Sequence, residues 1–326
     1  MRKLTYAKAI NEAQHIAMRK NNDVFQIGVG INTPWYVGQT MNGLLDAFGE
    51  KRMIDTPVSE NGTTGIAIGA ALTGLKPILT FPRMDFMYYA MDQICNHAAT
   101  YNYMFGGNSP VPLVIRAIIN RKGEQAAQHS QALHGLFMHI PGLKVVMPSN
   151  PYDAKGMLLA SIEDNNPVIY IDDRELYSSE GDVPEGYYIV PLDKAKIELP
   201  GNDITIVSSS YTLETVRKAI EMTKQKNISV ELIDLRSIKP IDKKTILNSL
   251  KKTGRIVVVD GGWVTGGVAS EIVSIVSSEG FEYLKAAPVK IALPDIPAPA
   301  SYVLENEYYP DENKIFQVIK EIVNKE

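Results

Sequence analysis

Short, almost wholly apolar runs alternate with segments of helical pattern along nearly the whole chain, and this alternation constrains the fold most strongly. The first half contains VFQIG, PILTF and VIYID, and the second contains ITIVSS, VELIDL and RIVVVD. Near-continuous apolar strands separated by helices are typical of a parallel sheet whose two faces are both covered. The sequence therefore predicts an α/β protein.

The alternation is interrupted once, between Glu175 and Asn202, where glycine and proline are frequent. A chain of 326 residues with 45% hydrophobic content is large enough for two cores. We predict two doubly wound domains, residues 1–175 and 201–326. The intervening residues, 176–200, are predicted to form a linker with one or two short strands.

Charge and cysteine content exclude several classes of protein. The chain has 33 basic and 37 acidic residues without a basic stripe, which argues against nucleic-acid binding. No apolar run reaches the ~18 residues of a membrane span, and the N-terminal residues lack the apolar core of a signal peptide. Cys95 is the only cysteine, so an internal disulfide is impossible. We expect a cytoplasmic protein without nucleic-acid or membrane partners.

The stretch Thr56–Leu75, TPVSENGTTGIAIGAALTGL, has one charged residue, Glu60, and four glycines. A carboxylate after Ser59 is ordinarily a favourable residue in the first turn of a helix. Few polar residues follow, however, so this helix is predicted to be buried all round. Each glycine weakens a helix by ~1 kcal/mol. Because glycine has no side chain, it is nevertheless suited to positions that a ligand or another backbone approaches closely. We therefore interpret Glu60 as a functional carboxylate that shares a proton with a bound partner.

His129 lies in a polar loop, GEQAAQHSQALHG, between a predicted strand and a predicted helix. Open α/β sheets bind ligands at the carboxyl ends of their strands. We favour a substrate-facing role for His129 over a local hydrogen-bonding role. The other histidines are expected to be structural or on the surface, and His134 and His139 lack the spacing of metal ligands.

Three further features are ambiguous from pattern alone. Phe86 stands near the start of a long predicted helix, Met84–Phe105, where an aromatic ring serves either the core or a planar cofactor. Glycine pairs around Trp263 are a weak signal for phosphate binding. Cys95 is expected to be an inert residue in a helix.

Taken together and in order, several motifs resemble one family, the beta subunits of the thiamine-diphosphate-dependent decarboxylase component of 2-oxo acid dehydrogenase complexes. The motifs are RMIDTPVSENG, GIAIGAALTGLKPI, MDQICNHAA, AAQHSQALHGLFMHIPGLKVVMPSNPYDAKGML, EDNNPVIY, VELIDLRSIKP and TGRIVVVDGGWVTGGVASEI. The resemblance covers nearly the whole chain. It implies a transketolase-type pyrimidine-binding domain followed by a transketolase C-terminal domain.

The resemblance also implies roles for individual residues. Glu60 matches the carboxylate that hydrogen-bonds the aminopyrimidine of the cofactor, which assists removal of the thiazolium proton. Phe86 matches the aromatic residue that stacks on the pyrimidine, and Tyr89 stands beside it as a cofactor contact. His129 matches the histidine that faces substrate and the lipoyl group. Backbone carbonyls that bind potassium in relatives correspond to Leu113, Ser161, Ile162, Asp164 and Asn166.

The resemblance implies an α2β2 heterotetramer, because half of the cofactor site is missing from this chain. In this superfamily a GDG motif followed by Asn binds the diphosphate and magnesium, which prefers hard oxygen ligands. The sequence contains no GDG. An alpha subunit is therefore expected to bind the diphosphate and magnesium, and a lipoyl acyltransferase core is an expected further partner.

Three positions depart from the family pattern. Val29 follows Gly28 where relatives carry an acidic residue in a proton relay. The glycine-rich RGPNGG-like loop is replaced by RAIINRKGEQ, and Tyr89 stands where the pyruvate enzymes have Gln.

These observations leave three hypotheses. The first is oxidative decarboxylation of a 2-oxo acid with acyl transfer to lipoamide. The second keeps thiamine diphosphate but passes a two-carbon unit to an aldehyde or sugar, as in a carboligase or transketolase. The third is a non-catalytic paralogue, against which the presence of Glu60 and His129 argues. The sequence does not identify the 2-oxo acid or the acceptor.

Overall fold

The structure, a computed structural model, describes residues 1–33 and 37–324 and consists of two compact units. The first unit comprises Met1–Arg121 and Leu136–Leu192, and the second comprises Lys122–Gly135 and the chain from Asp193 onward. The predicted linker, 176–200, contributes a strand to each unit. The domain limits that we predicted from composition stay a prediction.

The helices and strands are numbered in chain order. The strands are β1 Arg2–Thr5, β2 Val24–Gly28, β3 Met53–Asp55, β4 Lys76–Phe81, β5 Val114–Ile119, β6 Lys144–Val146, β7 Val168–Asp173, β8 Glu180–Val183, β9 Lys196–Leu199, β10 Ile204–Ser208, β11 Val230–Asp234, β12 Ser237–Lys239, β13 Ile256–Trp263 and β14 Val289–Leu293. The α-helices are α1 Tyr6–Lys20, α2 Leu44–Phe48, α3 Glu60–Leu72, α4 Tyr101–Met104, α5 His134–His139, α6 Pro151–Glu163, α7 Tyr211–Thr223, α8 Lys243–Thr253, α9 Val268–Glu279, α10 Tyr302–Tyr308 and α11 Glu312–Val323.

The main sheet of the first unit is parallel, with its strands in the order β6-β7-β5-β4-β2-β3. Strands β2, β5 and β7 are buried at every residue, as expected when helices cover both faces. Helix α1 begins after Thr5, whose hydroxyl accepts a hydrogen bond from the Lys8 N–H at 3.3 Å, and it packs against α6. A separate antiparallel pair joins β1 to β8.

The sheet of the second unit has the order β14-β13-β10-β11-β9, with β9 antiparallel to β11. Alternate residues of a strand point to one face of the sheet. Ile204 and Ile206 of β10 accordingly lie in one apolar cluster with residues of α7 and α11, including Leu213 and Ile315. The predicted α/β class with parallel strands is confirmed in both units.

Two predicted helices are shorter or less regular than expected. The helix predicted over 37–48 is reduced to α2, because Gly38, Gln39 and Gly43 have φ values of 63°, 64° and 72°, which a right-handed helix excludes. The long helix predicted over 84–105 consists of a 3₁₀ segment (Met84–Ala90), a π-helical segment (Asp92–Ala98) and α4. At the end of the π segment the Ala99 N–H bonds the Ile94 carbonyl at 3.0 Å, the five-residue spacing that defines a wide turn.

Gly142 packs against the end of this π segment and provides a test of its packing. A Cβ atom at Gly142, φ 88°, lies 2.0 Å from the Ala99 carbonyl oxygen, whereas one at Gly107, φ 86°, meets nothing within 4 Å. Both alanine variants carry the same backbone strain, but only Gly142→Ala adds a backbone clash. We expect Gly142→Ala to lower the free energy of unfolding by ~1–3 kcal/mol more than Gly107→Ala in urea titrations. Equal losses would contradict the close packing at Ala99.

Candidate active site

A cavity of about 100 Å³ lies in the first unit at the carboxyl ends of β2 and β4. The lining is mostly apolar, and its residues are Gly28, Val29, Val58, Glu60, Thr63, Leu79, Thr80, Phe81, Pro82 and Phe86. The carboxyl ends of parallel strands are the usual ligand-binding edge of such a sheet.

Gly28 allows the ends of β2 and β4 to lie close together at this edge. It ends β2 with φ 157°, and a Cβ atom there lies 2.6 Å from the Thr80 carbonyl oxygen of β4. A side chain at this position therefore clashes with the neighbouring strand. The absence of one brings the backbones of β2 and β4 together at the wall of the cavity.

Glu60 is the first residue of α3 and the acidic residue of the cavity wall. It is half-buried, and its carboxylate has no hydrogen-bond partner in the described part of the chain. The Ser59 side chain does not cap the helix. A half-buried carboxylate among apolar side chains is suited to bonding a polar group of a ligand. This setting supports the functional interpretation of Glu60.

Phe86 lines the same cavity, so the structure brings two of the predicted site residues together. Its ring stacks on Tyr89, with centroids 6.4 Å apart and planes 24° from parallel. Tyr89 itself is 69% exposed and is not among the lining residues. A cofactor contact by Tyr89 stays a prediction.

The prediction that α3 is buried all round is wrong for the isolated chain. One side of α3 is exposed and apolar or glycine, and we call Gly62, Ile66, Gly69 and Leu72 the α3 outer face. Val58, two residues before the helix, is exposed as well. Ile66 is 64% and Val58 75% exposed, and a Cβ atom at Gly69 meets nothing within 4 Å. The spacing of 62, 66 and 69 places these residues on one side of the helix. Among the described residues, none therefore packs closely enough against position 69 to require a glycine there.

His129 lies in the second unit, within residues 122–135. The residues around it form turns and extended chain, and its N–H bonds the Ala126 carbonyl at 3.4 Å. The side chain is half-buried, and the following Ser130 is buried. His129 and Glu60 thus belong to different units. The substrate-facing role of His129 stays a prediction.

His134, which we expected to be structural or exposed, forms a buried pair with Asp260. The ring Nε2 lies 2.7 Å from Asp260 Oδ1, and the two side chains are 1% and 4% exposed. A Cβ atom at Gly262 lies 3.0 Å from His134 Cε1, and one at Gly267 lies 3.2 Å from Asp260 Oδ2. Gly262 and Gly267 leave room for this hydrogen-bonded pair, and a Cβ atom at Gly267 also lies 2.5 Å from the Trp263 carbonyl oxygen. The glycine-rich motif around Trp263 therefore has a packing role.

Asp260 is stabilised in its charged form. Burial alone raises the pKa of this carboxyl, but attraction to His134 and hydrogen bonds from His134 and from the N–H groups of Gly262 and Ala269 lower it below the usual value. The backbone donors lie at 3.1 and 3.4 Å. The pair therefore contributes stability that requires an ionised Asp260.

The carbonyls that resemblance assigns to potassium lie around the end of α6 and before β5. The last carbonyls of a helix carry partial negative charge, but the Ser161 carbonyl already accepts from the Asp164 N–H at 3.4 Å. The Lys76 ammonium donates to the Ile162 carbonyl at 3.0 Å, and the Leu113 carbonyl accepts from the Val168 N–H at 2.9 Å. The Lys76 ammonium thus already places one positive charge beside the Ile162 carbonyl.

Among the described residues, neither Cys95 nor any metal-binding cluster contributes to the site. The thiol is half-buried, and burial, with Asp92 nearby, raises its pKa, which disfavours the reactive thiolate. Among residues 1–33 and 37–324, no three His, Cys, Asp or Glu side chains cluster in a way that binds a metal. None of the helices in the same ranges is long and apolar enough to cross a membrane.

Comparison with known proteins identifies both units. Residues 2–179 match the family described as "Transketolase, pyrimidine binding domain", and residues 193–315 match "Transketolase, C-terminal domain". A solved structure, "Split gene transketolase, inactive beta4 tetramer", superposes with a TM-score of 0.80 at 18% identity and covers 98% of both chains. At that identity the superposition supports the fold alone.

Two curated relatives are similar over almost their full lengths. The beta subunit of acetoin:2,6-dichlorophenolindophenol oxidoreductase from Bacillus subtilis is 41% identical, covering 99% of this chain and 98% of its own. The beta subunit of the human mitochondrial pyruvate dehydrogenase E1 component is 37% identical, covering 98% of this chain and 91% of its own.

The chain therefore belongs to the transketolase-like family. Within that family, it belongs to the beta subunits of the 2-oxo acid dehydrogenase E1 components, as the motifs indicated.

The Asp260 pair generates a prediction about acid stability. Because the folded-state pKa of Asp260 is lowered, its contribution is complete above the unfolded pKa of ~3.9 and is lost as the pH falls through the folded value. We expect Asp260→Asn to cost ~1–3 kcal/mol of unfolding free energy near neutral pH. That cost should shrink as the pH approaches ~3.

Urea titrations of the full chain between pH ~6 and ~3 measure this difference. Asp193→Asn is the matched control, because Asp193 forms only an exposed pair with Lys194 at 3.7 Å, which contributes ~0–1 kcal/mol. A pH-independent difference between wild type and Asp260→Asn would contradict the assignment.

Proposed function

We propose that this chain is the catalytic beta subunit of a thiamine-diphosphate-dependent 2-oxo acid dehydrogenase, active only with an alpha subunit. The observation that carries the proposal is that Glu60 and Phe86 line one apolar cavity at the carboxyl edge of the first sheet. A planar aminopyrimidine needs these two groups, a carboxylate for its ring nitrogen and an aromatic face for stacking.

The residues fit the pyrimidine half of the cofactor. Glu60 can hold a proton at a ring nitrogen because its carboxylate has no other partner in the described chain, and the apolar wall keeps water from competing. When bound, thiamine diphosphate supplies the thiazolium carbon that adds to the carbonyl of a 2-oxo acid. The role proposed for Glu60 is to assist the removal of the proton from that carbon, and His129 is proposed to face the substrate.

The α3 outer face supports an alpha partner that completes the site. Val58, two residues before α3, is exposed and lines the cavity, so a partner chain that covers both this face and the start of α3 would also meet the cavity. Gly62 and Gly69 allow a second helix backbone to approach closely. We infer that the alpha subunit packs here and contributes the diphosphate and magnesium ligands that this sequence lacks.

Further parts of the proposal follow from the relatives. Names such as "Pyruvate dehydrogenase E1 component subunit beta" indicate a second type of subunit, and we propose an α2β2 heterotetramer in the cytoplasm. A lipoyl acyltransferase is the proposed acceptor of the acyl group. Potassium is proposed at the carbonyls of Leu113, Ser161, Ile162, Asp164 and Asn166, where it would compete with the Lys76 ammonium for the Ile162 carbonyl.

A carboligase or transketolase-like reaction is the second candidate, and Val29 favours it. This side chain lines the cavity where the resemblance leads us to expect an acidic residue, so the cavity is more apolar than it would be with an acidic side chain at this position. A changed proton path is compatible with a different acceptor for the two-carbon unit. Product analysis with an aldehyde and with lipoamide as competing acceptors separates the two reactions.

Assembly is the first test of the proposal. We expect the chain alone to bind thiamine diphosphate and magnesium weakly, and co-expression with the alpha chain to restore tight binding. A charge on the α3 outer face, Ile66→Asp, should abolish both assembly and tight binding, because an unpaired carboxylate is costly in an apolar interface. Ile189→Asp is the matched control, since Ile189 is 53% exposed elsewhere in the first unit.

Calorimetry measures cofactor binding, and sedimentation measures assembly. Micromolar binding by the chain alone would refute the half-site interpretation. Normal assembly of Ile66→Asp would refute the docking of the alpha subunit on this face.

Glu60→Gln is the second test. Gln keeps the size and hydrogen-bonding capacity of Glu but cannot exchange a proton with the ring nitrogen. General acid–base assistance contributes about 10²–10⁴-fold, and we expect exchange of the thiazolium proton with deuterium to slow by that factor in the assembled complex. Glu50→Gln, at an exposed carboxylate of the same unit, should exchange at the wild-type rate. Near-wild-type exchange in Glu60→Gln would return Glu60 to the role of a helix-start carboxylate.

A further inference from the structure

The backbone before His129 is held in an unusual conformation. Lys122, Glu124 and Ala126 have φ values of 58°, 59° and 61°, in the left-handed region that side chains other than glycine seldom adopt. The residues from Lys122 to Leu133 form no helix or strand. Such a conformation persists only where surrounding contacts impose it.

A buried carboxylate supplies one of these contacts. The Glu124 N–H donates to both carboxylate oxygens of Glu305, at 3.1 and 3.2 Å, and Glu305 is 3% exposed. A charge buried to this extent needs donors directed at it. The positive φ of Glu124 is part of the geometry that presents this N–H to Glu305.

The Glu124 side chain returns a bond to the same helix. Its Oε1 accepts from the N–H of Tyr302, the first residue of α10, at 3.3 Å. The Ser301 side chain, which stands at the N-cap, makes no capping hydrogen bond. A carboxylate is favoured at the positive end of a helix, so Glu124 performs the capping that Ser301 does not. We call these reciprocal bonds the Glu124–Glu305 clasp.

Two further contacts fix the ends of the segment. The Lys122 ammonium donates to the Tyr211 hydroxyl at 2.7 Å and lies 5.1 Å from the ring centroid. At the other end His134 pairs with Asp260. His129 stands five positions after Glu124 and five before His134, so it lies between two anchored points of the second unit.

We propose that Glu124 and Glu305 are positioning residues for His129. The clasp fixes the backbone that carries His129 and so determines where the imidazole points. A catalytic group that is misplaced by ~1 Å can lose about 10²-fold in rate, which gives the clasp a function beyond helix capping. The proposal rests on the proposed function for the role of His129, but the ordering of the segment can be measured independently.

Amide hydrogen exchange on the full chain tests the ordering. Glu305→Ala removes the acceptor of the Glu124 N–H, and we expect amides of residues 122–133 to exchange about tenfold faster. Glu305→Gln keeps an acceptor oxygen and should restore near-wild-type exchange. Glu307→Ala is the matched control, because Glu307 is exposed on the same helix. Unchanged exchange in Glu305→Ala, or an equal increase throughout the second unit, would overturn the proposal.

Kinetics of the complex assembled with the alpha chain test the consequence. Glu305→Ala should lower kcat about tenfold or more without changing cofactor affinity, and Glu305→Gln should rescue it. Unaltered kcat alongside faster local exchange would overturn the positioning role. Absence of 2-oxo acid turnover in the wild-type complex would contradict the proposed function, and the exchange result would then decide on the clasp alone.

Discussion

The structure of this chain depends on a sheet edge that must bring strand ends together and still leave space for a ligand. Parallel strands place all their carboxyl ends at one edge, where the polar ends of the backbone and the first turns of helices converge. Gly28 lets the ends of β2 and β4 approach each other, because a side chain there clashes with the carbonyl of Thr80. Glu60 then stands at the start of α3 beside a mostly apolar cavity. The position of this carboxylate at the cavity wall, without a partner among the described residues, supports its proposed role.

The same region supports the proposal that a second chain completes the site. A helix with so many glycines is weak by itself, and α3 shields only one of its sides within the first unit. Gly65 packs against the side chain of Gln93, with a Cβ-to-Oε1 distance of 3.3 Å, but Gly69 faces open space. The two glycines therefore serve different surfaces, one internal and one external. The expectation that α3 is buried all round is therefore wrong for the described chain.

Much of the fold was predictable because it depends on local pattern. Apolar strands such as Val24–Gly28 and capped helices such as α1 lie where the sequence places them. The errors occur where backbone conformation is set by distant neighbours. The π segment ends where Ala99 meets Gly142, and no local pattern in Met84–Phe105 announces that contact.

The site was predictable to a similar degree and for similar reasons. Glu60 and Phe86 were recognisable because motif and helix position coincide, and the structure places them in one cavity. The pair of His134 and Asp260 was not predicted, because its members are 126 positions apart in sequence. No local sequence pattern links a histidine to an aspartate at that separation. The glycines near Trp263 are only a weak phosphate-binding signal in the sequence, and the structure gives Gly262 and Gly267 a packing role. The distances from Cβ atoms at these positions to His134 and Asp260 show that a glycine motif can equally arise where a buried hydrogen-bonded pair leaves no space for side chains.

Val29 determines how protons can reach Glu60. Of the residues that line the cavity, Glu60 is the acidic one, and the position that is acidic in the resembling family carries an isopropyl group. An apolar side chain neither accepts nor relays a proton, so Val29 cannot take part in a chain of carboxylates. Any proton that Glu60 exchanges must therefore pass to a ligand, to solvent, or to a group from a chain packed on the α3 outer face. In the proposed assembly, an alpha subunit that covers the exposed Val58 beside the cavity would be the source of such a group.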